Sequence, residues 1–306
     1  MIVAGDLDKK AMTESKCKVC QHINNNIFIE LDGLKVVRCG KCGLHYVDQN
    51  FKLQEISELY TEDMYANYWK YESGFYEKHW QELESREAEI QDDLRKESEN
   101  IDKYYKNGSL LDLGCFKGHF CRYMMDKGWD AVGVDVSNEA IEFGKKKFGL
   151  NLYCGDVSEA GFDEESFDVV TLWGVIEHFT DPNESIRKVY PLLKRDGLLV
   201  IKTQNQGSLL TGLAILLNKV TLGKMTSHLN FFYSREHLFR FNPENLCGML
   251  AKQGFRIKEI TYDDAYLLKF TADTAKWYMR ILIKIIKKLS RAVNKRDKMT
   301  VYAVKK

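Results

Sequence analysis

"LLDLGCFKGHF", residues 110–120, is the stretch whose reading decides the fold. It opens as a short apolar strand carrying one acid, Asp112. Gly114 and Gly118 then bracket a turn, and a helix pattern follows. A strand that stops at a glycine turn and feeds a helix N-terminus is how open α/β sheets hold nucleotide cofactors. The middle position of that turn, where a dinucleotide site places a glycine, is Phe116.

Working outward, strand patterns alternate with helix patterns. "DAVGVDV" (130–136) reads as a strand, followed by a helix "NEAIEFGKKKF" capped by Ser137 or Asn138. "LYCGD", "FDVVTLWGV" (167–175) and "LLVIKT" (198–203) read as further strands, with a helix over about 183–193. "PENLCGMLAKQG" (243–254) has Pro near its start and Gly past its end, the asymmetry of a helix. "FRIKEITY" and "MTVYAV" (299–304) close the chain as strands. Such alternation predicts an α/β, Rossmann-like, doubly wound and mostly parallel sheet.

Ligands of such sheets lie beyond the carboxyl ends of the strands. Asp135 ends the second strand, where a carboxylate accepts both ribose hydroxyls of an adenosine. Asp156 follows the third strand and is placed to accept from the adenine amino group, with Val157 offering its backbone N–H. A pyrophosphate needs close approach to the turn, which Phe116 obstructs, and Asp112 repels phosphate. S-adenosylmethionine has no phosphate and carries an ammonium and a sulfonium, so acids near the turn suit it.

At this point the chain resembles the class I S-adenosylmethionine-dependent methyltransferases. "LLDLGCFKGHF" is similar to that family's first motif, "GVDVS" to its ribose motif and "GDV" to its adenine motif. "SFDVVTLWGVIEHFTDP" resembles the segment after the fourth strand, and "LLKRDGLLVIKTQN" the turn and fifth strand. The resemblance covers about residues 108–262 and implies a seven-stranded sheet. It implies cofactor binding by Asp112, Gly114, Gly118, Asp135 and Asp156, with Cys115 and Val136 beside them in the same motifs and Trp173 flanking the adenine or methionine.

Cys17-Lys-Val-Cys20 and Cys39-Gly-Lys-Cys42 form C-x2-C pairs 18 residues apart, the spacing of a structural zinc ribbon. Gly40 and Gly43 are placed to make the tight turns, and the intervening segment reads as a hairpin turning near Asp32-Gly33. Four thiolates leave no open coordination position. His22 and His45 read as surface residues. Ribbons of this kind precede methyltransferase domains in bacterial enzymes of glycan, lipid and secondary-metabolite pathways, an arrangement that "RCGKCGLHYVD" resembles.

For catalysis, Glu177-His178 follows the fourth strand, with His178 as the base and Glu177 orienting it. His178 packing against the next helix is the competing reading. Quinone- and polyphenol-methylating relatives hold a divalent metal through E-x-x-E-H here; Gly174 stands in place of the first Glu, which argues against a metal-dependent mechanism. "SHLNFFYSREHLFRF" (227–241) supplies His228, Tyr233 and His237 as acceptor contacts or bases, against a core role for each. Tyr65, Tyr68 and Tyr76 are expected in a lid.

The expected organisation is a zinc ribbon over 1–50, an aromatic-rich helical lid and linker over 51–107, and the methyltransferase domain over 108–306. A basic amphipathic helix over 274–296 suits either an anionic bilayer surface or a packed interface, and a homodimer stays open. Net charge is +1, which argues against extended nucleic-acid binding. No signal-peptide or bilayer-spanning pattern is found, so the expectation is a cytoplasmic protein, peripheral to the inner membrane face if that helix binds lipid. The expected reaction is methyl transfer to a small molecule or glycan, on an oxygen of a sugar or lipid-linked sugar. The rivals are an RNA base methyltransferase and a non-catalytic binding protein on the same fold.

Overall fold

The computed structural model describes residues 12–13, 15–23, 25–31, 34–48, 87–221, 229, 233, 237–264 and 277–306. Tyr65, Tyr68, Tyr76, His228 and the Asp32-Gly33 turn lie outside them.

The first sheet contains β1 (Met12–Thr13), β2 (Asn25–Leu31), β3 (Leu34–Arg38) and β4 (His45–Val47). β2 and β3 pair antiparallel with a bulge between Ile27 and Ile29, as the hairpin pattern predicts. Helix α1 (Glu87–Ile101) precedes the main sheet. Then follow β5 (Ser109–Leu113), α2 (His119–Asp126), β6 (Asp130–Asp135), α3 (Asn138–Phe148) and β7 (Leu152–Cys154). Next come β8 (Phe167–Trp173), a short 3-10 turn (Ile176–His178), α4 (Pro182–Leu192), β9 (Leu193–Gln204) and α5 (Leu209–Val220). The chain ends with β10 (Phe239–Arg240), α6 (Pro243–Lys252), β11 (Phe255–Asp263), α7 (Trp277–Ala292) and β12 (Lys298–Lys305).

The main sheet has seven strands in the order β11-β12-β9-β8-β5-β6-β7. β5 pairs in parallel with both β6 and β8, and β6 with β7. The strand order therefore reverses at β5, and the glycine turn after β5 occupies the switch point where such sheets bind ligand. Leu110, Leu111, Val169, Val170 and Leu172 are fully buried, which explains why β5 and β8 read as apolar runs rather than alternating strands. Ser137 caps α3 by accepting from the Ala140 N–H, and Asn242 forms a reciprocal capping box with Asn245 on α6.

By contact density the described chain forms two compact units. One comprises residues 51–173, 187–200 and 304–306; the other comprises 1–50, 174–186 and 201–303. Within the second, the N-terminal sheet takes its fifth strand from β10, where Phe239 pairs with Tyr46 and Arg240 with His45. A two-residue strand carries no periodicity, so the sequence gives no sign of it.

Candidate active site and metal centre

The turn between β5 and α2 belongs to the first unit. Gly114, Phe116 and Gly118 all take left-handed backbone, with φ of 75°, 50° and 74°. Phe116 therefore adopts the conformation its glycine slot requires, which costs a bulky L-residue about 1–2 kcal/mol. The Gly114 N–H donates to the Val134 carbonyl at 2.7 Å, and Cys115 N–H shares that acceptor at 3.1 Å. A Cβ on Gly118 would meet Leu150 Cδ1 at 2.6 Å, so space as well as φ demands glycine there.

Asp135 stands at the carboxyl end of β6. Its Oδ2 accepts from the Phe116 N–H and its Oδ1 from the Ser137 N–H, both at 2.8 Å. These donors favour the ionised carboxylate, but burial outweighs them and raises its pKa. The acceptor is fixed in orientation, with lone pairs remaining for a diol. Val136 beside it is an exposed apolar side chain.

Asp112 lies inside β5 and is 2% exposed. Thr171 Oγ1 donates to its Oδ1 at 2.7 Å. Burial pushes its pKa up to about 8 despite that hydrogen bond, and the charges of Glu97 and Asp135 add to the rise. The sequence places an acid beside the turn; the structure places it within the sheet, held by a threonine that the reading missed.

The Asp156 carboxylate is engaged by the protein itself. Lys188 Nζ donates to both oxygens at 3.1 and 3.0 Å, and Ser158 Oγ donates to Oδ1 at 2.5 Å. Burial acts to raise its pKa, but Ser158 and Lys188 hold it below the usual range. An adenine amino group would share these oxygens. Val157 is buried next to it. The Cys115 side chain is buried, and a Cβ on Gly133 would meet its Sγ at 2.5 Å. Any cofactor contact from Cys115 is thus left to its main chain. Trp173 packs edge-on against Phe120 at 5.1 Å. Its Nε1–H is buried without a hydrogen-bond partner, a donor that a ligand or a water would satisfy.

In the second unit, Gly174 (φ 71°) ends β8 by turning the chain, and its N–H donates to the Lys202 carbonyl at 2.8 Å. Glu177, His178 and His237 follow as one cluster whose donor atoms lie within 4.8 Å of one another. Glu177 is 3% exposed, and its Oε2 accepts from Thr203 Oγ1 at 2.8 Å. The His178 and His237 rings are 4.7 Å apart. His237 Nδ1 faces Gln204 Nε2 at 3.3 Å. Burial pushes the His237 pKa well down, with Arg240, His178 and Lys298 adding to the shift. The three catalytic candidates are thus brought together. Gly174 offers no carboxylate, and His237 joins Glu177 and His178 as the third donor of the cluster.

The four ribbon cysteines, Cys17, Cys20, Cys39 and Cys42, also have their sulfurs within 4.8 Å of one another. Cys20 and Cys39 are 3.4 Å apart, Cys17 and Cys42 3.8 Å. A tetrahedral site with zinc–sulfur bonds of about 2.3 Å needs sulfurs about 3.8 Å apart, so the set fits that ion. The hydrogen bond between the two thiols lowers the pKa of Cys42 and raises that of Cys17.

The two knuckles repeat one backbone pattern. Gln21 N–H donates to Cys17 O as Gly43 N–H does to Cys39 O; Cys17 N–H donates to His22 O as Cys39 N–H does to Leu44 O. The left-handed residues are Gln21 (φ 63°) and Gly43 (φ 70°), so Gln21 does in the first knuckle what Gly43 does in the second, and Gly40, expected to make a tight turn, has no positive φ. Asn25, fully buried, joins the knuckles: its amide donates to His22 O at 3.2 Å, and its Oδ1 accepts from Gly40 N–H at 3.3 Å. Asn183, on α4, donates to the Lys18 and Val19 carbonyls of the first knuckle.

His45 corrects the surface reading. It is 3% exposed, and Nδ1 lies 2.8 Å from the Tyr233 hydroxyl. Burial, with Arg38 and Arg240 nearby, lowers its pKa to about 3. Tyr233 is accordingly a core partner of His45 and not part of the Glu177 cluster.

Residues 82–260, more than half of the chain, match the family described as "Methyltransferase domain". The chain belongs to that family and carries a class I S-adenosylmethionine-dependent methyltransferase domain behind a four-cysteine cluster. It is 32% identical over 162 residues to the ubiquinone biosynthesis O-methyltransferase of Brucella anthropi, covering 50% of this chain and 63% of that one. To the protein of the same name from Pelagibacter ubique it is 36% identical over 109 residues, 34% of this chain and 45% of the relative. The chain spans about half the length of the curated relatives it matches. A solved SAM-dependent methyltransferase from Archaeoglobus fulgidus aligns at 24% identity and a TM-score of 0.49, covering 69% of this chain and 93% of that one.

Proposed function

We propose that this protein transfers a methyl group from S-adenosylmethionine to an oxygen of a small molecule, with a sugar or lipid-linked sugar as the acceptor class. The observation that carries the reading is Asp135, a carboxylate fixed by two backbone donors at a strand end beside a turn with three left-handed residues. Asp135 would accept from the ribose hydroxyls, Val136 would lie against the adenine, and the main chain of Gly114 to Gly118 would face the methionine end. Trp173 would spend its unpaired N–H on the ligand or on a bound water. S-adenosylmethionine supplies a methyl group on a sulfonium, activated for in-line displacement.

The chain's own contribution to the reaction is to position an acceptor and take its proton. A hydroxyl becomes a competent nucleophile when a base removes that proton. His178 is assigned as the base. Glu177, itself held by Thr203, orients the imidazole. His237, kept neutral by burial, accepts or donates a hydrogen bond without adding charge. Oxygen as the target is supported by the name O-methyltransferase carried by the similar proteins. The four cysteines would hold a structural zinc, with no open position for substrate.

Calorimetric titration with S-adenosylmethionine tests the core of this reading. Binding in the micromolar range, weakened about 100-fold or more in Asp135→Ala, is expected, since a charged acceptor is lost from two hydroxyls. A folded chain with no binding would establish the non-catalytic rival instead.

A further inference from the structure

Twelve large apolar side chains are exposed among the described residues, and nine of them lie on α5, on α7 or one residue beyond α7. Such clustering is unlike the scattered apolar residues of an ordinary surface. The two helices pack against each other. Leu216 (55%) and Val220 (73%) are the most exposed on α5; Ile281, Ile285 and Leu289 (49–51%) form a stripe on α7. At about 100° per residue these three α7 positions fall within about 80° of arc.

The charge pattern says what this surface meets. The whole chain is nearly balanced, with 45 Lys and Arg against 44 Asp and Glu. Neither α5 nor α7 contains an acidic residue, while α7 carries Lys284 and Lys288 on the flank of its apolar stripe, with Lys287 turned about 160° from Ile285. Arg291 on the same helix is held by Asp264 at 2.6 Å and is not counted in this set. No described helix is long and apolar enough to cross a membrane. An apolar stripe edged by lysines, on a helix that does not span, has the composition of a surface that lies in a lipid interface.

We propose that α5 and α7 together form a docking surface for an anionic lipid bilayer. The apolar side chains enter the acyl boundary, and the lysines meet the head-group charges. A second copy of the chain fits less well. An isologous interface through this face would oppose the same lysines across the two-fold axis, with no acid on either helix to neutralise them. The inference is independent of the methyl-transfer reading, because vesicle binding needs neither cofactor nor acceptor.

The test is co-sedimentation of the full chain with vesicles of phosphatidylcholine containing phosphatidylglycerol, compared with phosphatidylcholine alone. The parent is expected to bind the anionic vesicles, to bind the neutral ones far more weakly, and to dissociate as salt is raised. Leu216→Asp/Val220→Asp and Ile285→Asp/Leu289→Asp should each abolish binding. Lys284→Gln/Lys288→Gln should lower affinity about 10-fold or more with an unchanged melting temperature, and it serves as the surface variant should the aspartates impair folding. A parent that sediments with neither vesicle overturns the proposal. So does a concentration-dependent dimer that the same apolar variants dissolve, in a chain without vesicle affinity.

Discussion

The Phe116 N–H donates to Asp135 Oδ2 at 2.8 Å, tying the strained residue of the glycine turn to the acid at the carboxyl end of β6. A glycine in this slot costs nothing in φ, whereas Phe116 at φ 50° is held in place in part by its donation to a carboxylate. Lys117 Nζ lies 5.6 Å from the Phe116 ring centroid and 4.5 Å from that of Phe143 on α3, giving the ring a cationic neighbour.

Phe116→Gly separates these effects. Release of backbone strain should stabilise by about 1 kcal/mol, offset by the greater entropy of the unfolded chain and the lost ring contacts. The expected net change in melting is small, with cofactor affinity within about threefold of the parent. A collapse of affinity would show that the ring itself, rather than the main chain, contacts the ligand.

Asp112 predicts a pH dependence of stability. Its folded pKa is raised to about 8 by burial, above the unfolded carboxylate value. The folded state therefore binds more protons than the unfolded state between about pH 4 and pH 8, and stability falls as pH rises through that window. Asp112→Asn keeps an acceptor for Thr171 and removes the titration. Melting curves should show the variant gaining on the parent from pH 5 to pH 8, by about 1–3 kcal/mol at the upper end. Parallel curves would place the ionisation elsewhere.

In the ribbon, Asn25 links both knuckles and should act on the metal without touching it. One zinc per chain is expected by elemental analysis. Asn25→Ala should weaken metal retention against a chelator about 10- to 100-fold. Cys39→Ser should lose the metal outright and destabilise the N-terminal sheet by about 3 kcal/mol or more. Full retention of zinc in Cys39→Ser would rule out the four-sulfur centre.

The sheet was legible because its signals are local and mutually consistent: buried β5 and β8 are mainly apolar, broken only by Ser109, Asp112, Asp168 and Thr171, and Ser137 and Pro243 mark helix starts. The four cysteines and the acids at strand ends were legible for the same reason, since residue type and spacing carry their chemistry. What the sequence hid depends on contacts between distant segments. Thr171 reaches Asp112 across neighbouring strands, Thr203 reaches Glu177 from β9, and Asn183 reaches the first knuckle from α4. His45 looked like a surface histidine because its partner, Tyr233, is 188 positions away. Gln21 hid as a turn residue because a left-handed φ without glycine leaves no compositional mark.

The Glu177, His178 and His237 cluster yields the last prediction, which separates a base from a metal. As a general base, His178 should account for about 10²–10⁴ of the rate; His178→Ala should lower kcat by that factor and leave cofactor affinity unchanged. Glu177→Gln keeps an acceptor for Thr203 but weakens the orienting charge, so it should lower kcat with little effect on KM. His237→Gln removes a neutral ring and should cost less than either. If the three side chains instead bind a divalent ion, the parent would hold two metals per chain, and both Glu177→Gln and His237→Gln would lose one while keeping the ribbon's zinc. One metal in the parent and in all three variants, with the rate order His178 most affected and His237 least, is the outcome the base assignment requires.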